Sequence, residues 1–181
     1  MKKTVIVFGL ISGLIISSLL TITTICYSSN HFEGSEVLGY AGMLVAFSFI
    51  FVGIKNYRDK YNGGVISFGK AFMTGLYITL IGSTMYVLAW LIIFYNFMPD
   101  FMEKYSAYMI NQAKASGLTQ TELDKKVAQM SSLKEMYKST VFVILMTYLE
   151  ILPVGLIVSL ISAVILKRKS EARSQRSEVT Q

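Results

Sequence analysis

Apolar positions gather into four long runs along this chain. The first runs from about Thr4 to Tyr27 and the second from about Val37 to Ile54, neither with a charge. The third covers Ala71 to Met98, and the fourth, Val141 to Leu166, holds a single charge, Glu150. Runs of roughly 18 or more apolar residues with few charges read as helices that cross a bilayer. They must be helical, because lipid offers no partner to backbone N–H and C=O groups.

The pattern changes between the third and fourth runs. Phe101, Tyr105, Tyr108 and Gln112 share one helical face, with Met102 and Met109 close by, until Gly117 breaks the period. Thr119-Gln-Thr-Glu122 has capping-box spacing, and Leu123, Val127, Met130, Leu133 and Tyr137 follow at helical intervals. The segment 99–140 therefore predicts two amphipathic helices joined at Ser116-Gly117-Leu118. They lie on the bilayer surface, or the second extends the fourth spanning helix outward. The predicted fold class is all-α: a four-transmembrane-helix bundle with an external amphipathic helical segment between helices three and four. Residues 1–169 form the membrane domain and 170–181 a polar, disordered tail.

Composition agrees with this division. Of 181 residues, 53% are hydrophobic and 15% charged, against about 25% charged in a soluble domain. The distribution of Lys and Arg orients the chain. The N-terminus, the 55–70 connection and the tail together hold eleven basic and three acidic residues, net +8. The other side holds six basic and seven acidic residues, net −1. The side richer in Lys and Arg stays in the cytoplasm, so both termini are expected there. Basic loops beside anionic lipid account for the pI of about 9.3 without a nucleic-acid partner. The first run is too long for a signal-peptide core of about 7–15 residues. Bulky Ile25 before Cys26 also speaks against a lipoprotein, so the run is expected to remain as a span.

Small residues recur four apart, as at Gly9 and Gly13, Gly42 and Ala46, and Gly155, Ser159 and Ala163. Such spacing lets spanning helices approach closely, and packing within one bundle is the expected use. Between helices two and three, Asn62-Gly63-Gly64 signals a turn. Arg58 and Asp59 are placed to pair with each other or with lipid phosphate, and Tyr57 and Tyr61 lie at i, i+4.

The chemistry on offer is sparse. A carboxylate within a spanning helix costs about 2.5–3.5 kcal/mol on insertion scales, which singles out Glu150. Pro153, three residues on, removes the N–H that would bond the Leu149 carbonyl. A proton or cation site there is one reading; an interface position or an interhelical hydrogen bond is the other. His31, Glu33 and Glu36 share a short loop but lack the spacing of a metal site, so no metal and no cofactor is expected. One cysteine allows no intrachain disulfide. No phosphate-binding loop or nucleophile elbow appears, and the spans contain no Asp and no His, which disfavours intramembrane proteolysis.

Gly53-Ile-Lys-Asn-Tyr-Arg-Asp-Lys60, then Gly63-Gly64-x-Ile66-Ser67-Phe68-Gly69-Lys70, resembles the central signature of the family known as domain of unknown function 4199. Glu150-Ile-Leu-Pro-Val-Gly-Leu156, followed by Leu160-Ile-Ser and Lys167-Arg-Lys, is similar to that family's C-terminal end. The resemblance covers roughly residues 1–169 and implies a small bacterial membrane protein with no assigned activity. It marks the Arg58–Lys70 stretch and Glu150 as positions to test.

Two functional classes remain. One is a non-enzymatic inner-membrane component that binds lipid or a partner, the partner being a membrane protein or a second copy of the chain. Its candidate binding residues are Glu150, Arg58, Asp59 and Lys70. The other is a small transporter or proton-coupled subunit centred on Glu150.

Overall fold

A computed structural model describes residues 1–27 and 35–167. The expected tail at 170–181 and the His31 and Glu33 pair lie outside them. Six helices are present among the described residues: α1 (Lys2–Tyr27), α2 (Ser35–Tyr61), α3 (Phe68–Asn96), α4 (Phe101–Ala115), α5 (Gln120–Met136) and α6 (Thr140–Leu166). The protein is all-α. Four of these helices, α1, α2, α3 and α6, are long and apolar enough to cross a membrane.

The main departure from the hydrophobic runs is in α2. The expected boundary at Ile54 follows the loss of apolar character, but the helix continues to Tyr61 through Lys55, Arg58, Asp59 and Lys60. Charged side chains on the last turns are no obstacle once the backbone leaves hydrocarbon, and cations there complement the C-terminal end of the helix dipole. The connection to α3 shrinks accordingly. Gly63 and Gly64 adopt φ of 60° and 79°, a region that favours glycine. The Gly64 N–H bonds the Arg58 carbonyl at 3.0 Å. Ser67 then caps α3, its Oγ accepting from the Lys70 N–H at 3.4 Å.

Within the bundle, α3 is central and packs extensively against α1 and α6, while α2 packs against α1 and α6. Phe47, Met43, Ile50, Ile54, Ile78 and Ile151 are almost fully enclosed. Glycines set the close approaches. Gly9 faces Ile81 and Gly13 faces Met85, so α1 lies along α3; a Cβ on Gly75 would stand 2.9 Å from the Ser159 side chain. The small-residue spacing is thus used inside the bundle.

Hydroxyls accompany these contacts. Ser12 Oγ donates to the Ala46 carbonyl at 2.7 Å, and Thr79 Oγ1 donates to the Gly155 carbonyl at 3.2 Å and meets Ser159 Oγ at 3.0 Å. In lipid such interhelical bonds average about 0.6 kcal/mol. Close packing is therefore the larger stabilising effect, and the bonds fix register. Pro153 is accommodated within a helix that continues to Leu166.

The α4–α5 segment forms a helical hairpin. Gly117, at φ 71°, closes the turn, and Lys134 of α5 bridges Glu103 of α4 at 2.9 Å. Met102, Ala113 and Met130 are buried, Met102 in the cluster at the base of the hairpin. The base docks through aromatic rings: Phe101 stands edge-on to Trp90 at 5.2 Å, and Tyr137 lies 6.1 Å from Phe94. These rings form a second cluster with Val143, separate from the main core.

Candidate functional site

The sequence-selected residues fall at two levels of the bundle. Arg58 lies on the last turn of α2 with its side chain 12% exposed, and its Nε meets Asp59 Oδ1 at 2.7 Å. Its Nη1 donates to the Leu166 carbonyl at a long 3.5 Å. That carbonyl is one of the last four of α6, which have no partner within their own helix. Arg58 therefore ties the end of α2 to the end of α6 and places positive charge where the α6 dipole favours it. This cross-helix role has no signal in the local sequence. Tyr57 and Tyr61 stack beside it, with ring centroids 6.2 Å apart.

Lys70 is at the same end, on the first turn of α3 and exposed. It lines a cavity of about 420 Å³ with Met1, Tyr57, Gly69, Met73 and Tyr77. Tyr77 shares the Lys70 side of α3 through the i, i+3, i+7 spacing of Lys70, Met73 and Tyr77.

Glu150 is elsewhere. It is 16 residues before Leu166 on α6, so about 24 Å along the helix from the Arg58 contact. Glu150 is exposed at the surface of the bundle and acts electrostatically on the phenols of Tyr86 and Tyr137. Tyr137, at the junction of α5 and α6, has its hydroxyl pushed above the usual tyrosine range, first by burial and then by the Glu150 charge. Three threonines of α3 and α6 have partners of their own. Thr84 Oγ1 meets the Tyr148 hydroxyl at 2.8 Å, Thr147 bonds the Val143 carbonyl within its own helix, and Thr79 serves the α3–α6 contact.

The arrangement brings Arg58, Asp59 and Lys70 to one end and leaves Glu150 apart. Among the described residues, no three His, Cys, Asp or Glu side chains are grouped to hold a metal ion. No curated protein and no solved structure matches this chain. The family model described as "Protein of unknown function (DUF4199)" matches residues 7–168. All six helices lie within or almost within that match, and the chain belongs to this family.

Proposed function

We propose that this protein is a non-enzymatic component of a bacterial inner membrane that binds a partner through the α4–α5 hairpin and lipid at its basic end. Both termini and the α2–α3 turn lie in the cytoplasm, and the hairpin lies outside. The asymmetry of Lys and Arg supports this orientation. The partner is another membrane protein or a second copy of the chain.

One observation carries the reading: the bundle core is closed, and among the described residues no charged side chain is buried in it. The layer where Phe47, Thr79, Gly155 and Ser159 meet is fully enclosed and tightly packed. A transporter centred on Glu150 would need a path through this layer, or one formed between copies. The hairpin, by contrast, presents Leu118, Val127 and Met136 at 42–44% exposure among charged neighbours, a mixed surface like that of reversible protein contacts.

A photo-crosslinking residue placed at Val127 tests the partner in cells. A discrete protein adduct is expected there and not from Ile92, which is exposed on the spanning part of α3. Absence of protein adducts from Leu118, Val127 and Met136 alike would exclude the hairpin as a binding surface.

A further inference from the structure

We propose that the outer face of α3 holds one anionic phospholipid, with its headgroup at Lys70 and an acyl chain along Met73, Tyr77, Leu80 and Thr84. This deepens the lipid-binding half of the preceding reading. Two hollows lie on this helix. One, of about 420 Å³, is at the basic end and includes Tyr57, Lys70, Met73 and Tyr77. The other, of about 290 Å³, is lined by Leu80, Ile81, Thr84 and Met85. Positions 73, 77, 80 and 84 are spaced four, three and four apart, so they form one stripe on the helix surface. Met73, Tyr77 and Leu80 remain 39–40% exposed, so the chain itself leaves this stripe uncovered.

Length and chemistry both fit a phospholipid. Lys70 to Thr84 spans fourteen residues, about 21 Å. Half of a hydrocarbon core of about 30 Å plus one headgroup layer comes to roughly the same depth. Lys70 supplies an ammonium group at the start of the stripe, and the Tyr57 and Tyr77 phenols line the same hollow. Leu80 with neighbouring Ile81 and Met85 makes the deeper part mainly apolar, ending at Thr84. Its polar end is also electrostatically suited to an anion. Lys2, Lys3, Lys55, Arg58, Lys60, Lys70 and Lys167 belong to this end, while its acid among the described residues, Asp59, is engaged by Arg58. Tyrosine at headgroup depth presents an apolar ring to the chains and a hydroxyl to phosphate or glycerol.

The test uses the full chain reconstituted in nanodiscs of phosphatidylcholine, with or without phosphatidylglycerol, then extracted in mild detergent for native mass spectrometry. Wild-type protein should retain one phosphatidylglycerol per chain in preference to phosphatidylcholine. Lys70→Glu should lower that retention about tenfold or more, because it removes one basic contact with the lipid and adds a repulsive one. An acid on the first turn of α3 suits the helix dipole, so this variant keeps its fold. Lys60→Glu makes the same charge change outside the cavity and should retain the lipid. Leu80→Trp should expel it with no change in charge. Equal retention of the two lipids, or equal losses in Lys60→Glu and Lys70→Glu, would overturn the proposal. The readout depends neither on a protein partner nor on orientation in cells, so its failure is separable from failure of the hairpin reading.

Discussion

Gly155 shows how little space separates α3 from α6. A Cβ there would collide with the Thr79 side chain, which also bonds the Gly155 carbonyl. Gly155→Leu should therefore destabilise the protein by about 1–3 kcal/mol or more, the usual cost of overpacking. Ser159→Ala removes one interhelical hydroxyl contact and should cost only about 0.6 kcal/mol. Thermal unfolding in detergent, followed by Trp90 fluorescence, should place Gly155→Leu well below Ser159→Ala in melting temperature. Equal shifts would mean that hydrogen bonding, not close packing, governs this contact. The sequence marks Gly155 as a small residue in a span, but not Thr79 as its counterpart, because that pairing depends on helix register. Glu150 is similar: its cost in lipid is legible from composition, whereas its electrostatic influence on Tyr86 of α3 and on Tyr137 at the α5–α6 junction depends on how the helices are placed.

Among the elements, α5 has the clearest local code. Thr119 Oγ1 accepts from the Glu122 N–H at 3.4 Å, and Glu122 Oε2 accepts from the Thr119 N–H at 2.9 Å. The Thr119 hydroxyl also donates to Glu122 Oε2 at 2.7 Å. The side-chain and then the backbone bond from Thr119 hold the Glu122 carboxyl below the usual glutamate range. A lowered folded-state value means that the cap stabilises α5 above the unfolded value and loses this contribution as pH falls through the folded one. Hydrogen exchange at the start of α5 should accelerate as Glu122 protonates, relative to the middle of the helix. Thr119→Ala should weaken the cap by about 1 kcal/mol and abolish most of that pH dependence. A pH response unchanged by Thr119→Ala would assign it to another group. The capping box was legible because it needs residues only three apart, and Gly117 marked the turn for the same reason. The end of α2 was not, since apolar runs report immersion in lipid while the helix extends past the hydrocarbon to Asn62-Gly63-Gly64.

For the whole molecule, the four apolar runs and the intervening amphipathic segment were enough to establish an all-α architecture. Which helices are neighbours was not readable, because the small residues that fix it occur on every span. The candidate site was legible only as residue types. The association of Tyr57, Lys70 and Tyr77 at the basic end required α2 and α3 to be placed side by side. The account as a whole rests on the hairpin and the α2–α3 turn lying on opposite sides of the membrane. Single cysteines at exposed Ser131 on α5 and Tyr61 at the end of α2, in a Cys26→Ser background, test this directly with a membrane-impermeant maleimide. In intact inner-membrane spheroplasts, Ser131→Cys should be labelled, and Tyr61→Cys should be labelled only after permeabilisation. Labelling of both in intact spheroplasts, or the reverse pattern, would contradict the account.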